Sequence, residues 1–172
     1  MATQQSEQYI FLVDDEPIQN EMLKDHIAGR FEYKLKTYEN GEDAIRDMNL
    51  NPAIVVLDFH LNSNVPNAQN GVEVLKKIKE LSPHTEVIML SGQDKIDVAI
   101  ESMKHGAYDY VIKGETAFSR MENLLDNIIE LHGLKEANKS YKMVVTLLCI
   151  AIAVVLATSI YLVMHFDVIR PK

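Results

Sequence analysis

The chain has 172 residues, of which 47% are hydrophobic, and a formal net charge of −8. That length holds one ordinary domain of about 120 to 130 residues and an appendage, not two full domains. The acidic balance disfavours nucleic acid, whose phosphates need a basic footprint, and the single cysteine, Cys149, excludes an intramolecular disulfide framework and zinc-ligand spacing.

Residues 1–8 are polar and read as a disordered N-terminus with no secretory signal. The apolar run 9–13 has the length and β-branched content of a buried strand, and it runs into Asp14, Asp15, Glu16 and Pro17. Ile18, Met22, Leu23 and Ile27 then recur at helical spacing. A second strand is expected over 32–37, a small helix over 41–48 and a third strand over 53–57, ending on Asp58. A long polar loop, 59–71, leads to a helix with Val72, Leu75, Ile78, Lys79 and Leu81 on one stripe. The fourth strand, 87–90, precedes Ser91, and a shorter helix carries Val98, Ile100, Met103 and Lys104. The fifth strand, 108–112, contains Tyr110 and precedes Lys113. Phe118, Met121, Leu124, Leu125, Ile128, Ile129 and Leu131 give the last helix an apolar face. Met22, Met48, Met89, Met103 and Met121 read as core fillers. His26, His84, His105 and His132 have no paired spacing and read as surface residues.

Alternation of strands and helices with short connections implies parallel pairing through right-handed crossovers. The expected fold is α/β, a five-stranded parallel doubly wound domain of flavodoxin-like type over 9–132. Next, 133–142 reads as a polar juxtamembrane connector, with Gly133 and Asn138 as candidate breaks that the sequence leaves open. The alternative there is a last helix that continues unbroken and pairs with a second copy. From Met143 to Met164 there is no charged residue, and about 22 residues at 1.5 Å each give roughly 33 Å, enough to cross a hydrocarbon core of about 30 Å. One transmembrane helix over 143–165, in contact with membrane lipid, and a short tail over 166–172 are expected. Lys139, Tyr141 and Lys142 flank the span on one side and His165, Asp167, Arg170 and Lys172 on the other. A very apolar core helix lying on the sheet is the alternative.

In an open α/β sheet ligands bind at the carboxyl ends of the strands, so Asp14, Asp15, Asp58, Ser91 and Lys113 are expected to converge. Carboxylates, a hydroxyl and an ammonium in one crevice suit a hard divalent cation and a phosphoryl group. Asp14 to Pro17 also read as an ordinary helix N-terminus, where acidic side chains favour the dipole and Pro suits the first turn.

With Val13-Asp14-Asp15-Glu16-Pro17, Val56-Leu57-Asp58, Ser91-Gly92 and Tyr110-Val111-Ile112-Lys113 in this order, the chain resembles the response-regulator receiver domain of two-component signalling over about residues 8–132. The resemblance implies Asp58 as phosphoacceptor and Mg²⁺ as cofactor. Asp15 and Asp58 would be direct ligands, Asp14 would act through water, and the His60 backbone carbonyl would complete the set. Ser91 and Lys113 would bind the phosphoryl group, and Ser91 with Tyr110 would form the switch. The implied partner surface is the helix from about Asp94 to Lys104, the fifth strand and the last helix. The sequence departs from the family at Gly114, where proline is usual and whose absence leaves Lys113 less firmly placed. It departs again in the loop after Asp58, about five residues longer than usual, an insertion that loops tolerate cheaply. His60 lies where receivers tune dephosphorylation, and Ser91 stands where threonine is commoner.

The resulting expectation is a response regulator held at the cytoplasmic side of the inner membrane by a single pass. A histidine kinase or phosphotransfer protein would phosphorylate it, and it would signal to an unidentified output protein by contact. Its own chemistry would be confined to Mg²⁺-dependent self-phosphorylation and dephosphorylation. A homodimer is compatible with this reading; nucleic acid is not a partner. The alternatives are a docking scaffold that works without phosphorylation and a flavodoxin-like cofactor binder, the latter disfavoured because no Gly-rich phosphate loop follows the first strand.

Overall fold

In the computed structural model, residues 8–61, 69–92 and 96–169 are described. The elements are β1 Tyr9–Val13, α1 Pro17–Ile27, β2 Lys34–Tyr38, α2 Gly41–Arg46, a 3-10 turn Met48–Leu50, β3 Ile54–Asp58, α3 Gly71–Leu81, β4 Glu86–Ser91, α4 Ile96–Lys104, β5 Asp109–Ile112 and α5 Ala117–Ile169. All strand pairs are parallel, in the order β2-β1-β3-β4-β5. This is the expected doubly wound sheet. The disordered start expected over 1–8 lies outside the described residues, apart from residue 8. So do residues 62–68 of the long loop and the expected start of α4 at Asp94.

The central strands are apolar between their ends because both of their faces are covered. Phe11, Val13, Val55, Leu57, Val87 and Met89 join Tyr38, Ala44, Met48, Val74, Leu75, Ile78 and Tyr110 in one buried cluster. On the opposite face Leu12, Leu23, Val56, Leu90 and Phe118 line a void of only about 20 Å³. Local signals start the helices: Pro17 opens α1, and the Asn40 side chain accepts from the Asp43 amide at α2. At α3, Asn70 and Glu73 form a reciprocal capping box.

Three apolar stripes are placed differently from the sequence reading. In α1, Leu23 and Ile27 are buried with Asn20, while Ile18 is 74% and Met22 50% exposed. The two pairs lie four residues apart within themselves but on adjacent faces, and only one face meets the sheet. Met22 instead lines a cavity of about 160 Å³ with Leu23, Phe118, Met121 and the Lys113 stem. In α4 the inward side is Val98, Ala99 and Ser102, leaving Ile96, Ile100 and Met103 exposed. Leu81, at the end of α3, also faces outward. Met22 and Met103 are therefore not core fillers, whereas Met48, Met89 and Met121 are buried.

The chain divides into two units, Met1–Asp126 and Asn127–Lys172. Of the two courses left open at Gly133 and Asn138, the unbroken helix is the one found, since α5 runs through both residues. A single glycine costs a helix only about 1 kcal/mol relative to alanine, and good helix formers such as Leu134, Lys135 and Ala137 surround this one. The region Ala117–Leu162 is long and apolar enough to cross a membrane by length and composition, and its most apolar 18-residue window has no buried residue. The tail expected over 166–172 is helical as far as Ile169, and the rest lies outside the described residues.

Candidate functional site

Parallel register sets the site. Val13 pairs with Leu57, Asp58 with Leu90 and Ser91 with Ile112, so the residues at or just past the ends of β1, β3, β4 and β5 share one edge of the sheet. Asp14, Asp15 and Asp58 each present a carboxylate oxygen there, all within 4.8 Å of one another. Asp14 and Asp58 are 4% and 3% exposed; Asp15 is half-buried.

Lys113 reaches into this cluster. Its Nζ donates to Asp14 Oδ2 at 2.7 Å and lies 3.3 Å from Asp58 Oδ1. The Lys113 amide also donates to the Ser91 carbonyl at 2.7 Å. Lys113 is thus tied through its own backbone to β4, with Gly114 following in place of proline. Ser91 is buried at 1% exposure. Tyr110 is buried within the core cluster that Val98 and Ala99 flank. His60 stands half-buried in the turn after β3, with its ring edge-on to Phe59 at 4.7 Å.

Burial pushes the Asp58 carboxyl above its usual range; the Lys113 charge opposes this and the Asp14 charge adds to it. For Lys113, burial disfavours the ammonium. The hydrogen bond to Asp14 and the charges of Asp58 and Asp14 outweigh it, so the pKa rises and the side chain stays protonated. One ammonium thus faces three clustered carboxylates, which leaves an electrostatic deficit for a cation to fill. The donors are all oxygen, and Asp58 Oδ1, although within ion-pair reach of Lys113, is buried without a well-formed hydrogen bond. This arrangement fits Mg²⁺, a hard ion that takes a few carboxylates and keeps several waters.

Two residues support the site from behind. Asn20, 3% exposed, uses its Nδ2 to donate to the Asp14 carbonyl at 2.8 Å and to the Tyr38 carbonyl at 2.9 Å, tying together the ends of β1 and β2. Sequence reading passed over it, although a polar residue beside Leu23 and Ile27 on the inward face of a helix was the available signal. Gly71 returns the long loop to β3: its amide donates to the Phe59 carbonyl at 2.9 Å. A Cβ there would meet the Asp58 carbonyl oxygen at 2.4 Å and Phe59 Cα at 2.7 Å, so only glycine allows this approach.

A doubly wound parallel sheet with an acidic triad and a lysine at its carboxyl edge defines a phosphoryl-handling signalling domain. The family model for the response regulator receiver domain matches residues 10–127, and the chain belongs to that family. Receiver domains of two-component systems accept a phosphoryl group on an aspartate and bind Mg²⁺ at such an acidic pocket. The nitrogen assimilation regulatory protein NtrX of Azorhizobium caulinodans is 32% identical over 108 residues, covering 60% of this chain and 22% of that protein. The chemotaxis protein CheY of Thermotoga maritima is 29% identical, covering 60% of this chain and 83% of that protein. The signal receiver domain of a LuxO repressor protein from Vibrio parahaemolyticus superposes with a TM-score of 0.65 at 22% identity, covering 76% of this chain and 95% of that one. This last likeness speaks to the fold. The chain thus spans about a fifth of NtrX but most of CheY.

Proposed function

We propose that the chain is a membrane-tethered response regulator whose Asp58 accepts a phosphoryl group from a histidine kinase or phosphotransfer protein. The observation that carries this reading is the gathering of the Asp14, Asp15 and Asp58 carboxylates within 4.8 Å, with the Lys113 ammonium beside two of them. An Asp58 carboxylate oxygen attacks phosphorus, the bond from phosphorus to the donor breaks, and the electron pair leaves with the donor, giving an acyl phosphate. Lys113 offsets part of the burial that raises the Asp58 pKa and offers a point charge to the phosphoryl oxygens. Ser91 supplies a hydroxyl to one of those oxygens, and Tyr110 answers the change from the core side. Asp14, Asp15, Asp58 and the His60 carbonyl would hold Mg²⁺, which neutralises charge on the transferring group.

The uncharged, exposed stretch of α5 supports an anchor over 143–165 in the inner membrane, with the phosphoacceptor on the cytoplasmic side where its donor would be. Output would follow from contact between the phosphorylated domain and another protein.

Intact mass of the full chain in detergent tests the chemistry after incubation with Mg²⁺ and acetyl phosphate. Wild type is expected to gain one phosphoryl group and Asp58→Asn none. Labelling that persists in the variant overturns the assignment of Asp58, and no uptake by wild type favours a scaffold that docks without phosphorylation. Alkaline extraction of membranes tests the tether: the chain is expected in the pellet, and its release into the supernatant refutes an integral span.

A further inference from the structure

Charge is unevenly divided along the chain. Only Glu136 and Asp167 of the 25 acidic residues follow Gly133, together with five lysines and arginines. Three of these, Lys135, Lys139 and Lys142, stand just before the uncharged stretch at a 4-3 spacing, which sets them on one face of α5. Lys135 and Lys142 are exposed. Among the described residues neither takes part in an ion pair, whereas Arg30, Lys36, Lys79, Lys113 and Arg120 of the receiver domain all do. Their charge is open to an external anion.

Depth along the helix says which anion. Tyr141 is 69% exposed and Tyr161 67%. They stand about 20 residues apart, roughly 30 Å along a helix, which is the hydrocarbon thickness of a bilayer. Exposed tyrosines at that separation mark the two headgroup levels. At the nearer level Lys142 directly follows Tyr141, while Lys139 lies about 3 Å and Lys135 about 9 Å further from the hydrocarbon. The first two therefore fall in the headgroup layer, and the third at the edge of the roughly 8 to 10 Å over which salt screens a surface charge. We infer that Lys139 and Lys142, aided by Lys135, bind anionic phospholipid headgroups, the partner being a negatively charged membrane surface. The inference rests on the membrane span proposed above and adds a lipid preference to it. Headgroups are the anions selected because the span keeps the lysines among them, at an effective concentration that dissolved phosphate does not reach. A span alone accepts any lipid of matching thickness; the lysine stripe adds a choice set by charge and weakened by salt.

The test reconstitutes the full chain in phosphatidylcholine vesicles, in an Arg170→Gln, Lys172→Gln background that removes the basic charge of the far tail. Traces of phosphatidylglycerol or phosphatidylcholine, spin-labelled on the acyl chain, are added, and electron spin resonance reads the fraction of each held at the protein. Phosphatidylglycerol is expected to associate on the order of fivefold more strongly than phosphatidylcholine, the effect of about one lysine at an anionic surface. That preference is expected at about 10 mM salt and should fade at about 1 M, where charge is screened within about 3 Å. Lys139→Gln with Lys142→Gln is expected to abolish it and Lys135→Gln to lower it by less. Lys77→Gln, at an exposed position of the receiver domain, is expected to leave it unchanged. Equal association of the two lipids with the parent chain, or a preference that survives the double substitution, overturns the inference while the span stands. No held fraction of either label means that the chain does not enter the bilayer, which refutes the span and the inference with it.

Discussion

The Lys113 ammonium lies closer to Asp14 than to Asp58, at 2.7 Å against 3.3 Å. It is shared between two buried carboxylates, and the one it binds more closely is not the proposed nucleophile. Lys113→Ala should therefore strand both. A loss of about 1 to 3 kcal/mol is expected at pH 7 without Mg²⁺, somewhat below the range for fully buried pairs because the side chain is 22% exposed. Saturating Mg²⁺ should recover part of it. Thermal melts of the full chain in detergent, with and without the ion, check this; an unchanged melting temperature would show that the pair carries no weight.

Asp58→Asn should stabilise the metal-free protein at pH 7, by on the order of 1 kcal/mol, the usual size of a single-site change. The folded protein holds the Asp58 proton more tightly than the unfolded chain does, because burial raises its pKa. The stability this group contributes is full below the unfolded pKa and is lost as pH rises through the folded one. The gap between variant and wild type should accordingly narrow as pH falls from neutrality into the acid range. Denaturant titrations at a series of pH values measure it, and a constant gap counts against the raised pKa.

Millimolar Mg²⁺ should raise the melting temperature of wild type, by an amount equivalent to about 1.4 kcal/mol at ten times the dissociation constant. Asp15→Asn, at a half-buried position, should fold normally and lose most of that shift. Titration calorimetry gives the affinities directly, and equal values for the two proteins would remove Asp15 from the ligand set.

Asn20→Ala takes a buried donor from the Asp14 carbonyl and one of two donors from the Tyr38 carbonyl, which keeps the Asp14 amide. A cost of about 1 to 3 kcal/mol is expected, together with weaker Mg²⁺ binding, since the loop bearing Asp14 and Asp15 keeps only the Asp14 amide as its tie to the Tyr38 carbonyl. Denaturant titration measures the first and calorimetry the second; a stability loss with unchanged Mg²⁺ affinity would leave Asn20 a purely structural residue.

Two glycines should respond in opposite ways. Gly71→Ala drives a Cβ into the Asp58 and Phe59 backbone and should cost about 1 to 3 kcal/mol and slow phosphoryl uptake. Gly133→Ala meets nothing within 4 Å and should stabilise α5 by up to about 1 kcal/mol. Melting temperatures and circular dichroism of the two variants separate these effects.

The strands and the site were readable in the sequence because each strand that feeds the site is a short apolar run followed by a chemically distinctive residue: Asp14, Asp58, Ser91 or Lys113. Parallel pairing then brings those ends together with no further information. Helix faces were less readable. Ile18, Met22, Ile100 and Met103 are apolar and helically spaced yet exposed, since spacing shows that a stripe exists but not which of two adjacent stripes meets the sheet. Asn20 and Ser102 occupy inward positions that composition assigns to apolar residues, and each is satisfied by main-chain carbonyls that only the folded chain supplies. Gly133 left the course of the last helix open, because a single glycine within a strong helical context does not have to break it.

The latch between the Gly71 amide and the Phe59 carbonyl closes the long loop at its neck, with the Asn70 capping box immediately behind it. Loop length is thereby separated from active-site geometry: added residues lengthen an excursion whose two feet are already pinned, at an entropic cost that grows only with the logarithm of length. The neck is thus a natural splice point, where a fluorophore-bearing or affinity segment can be carried beside Asp58 while the residues that do its chemistry keep their places.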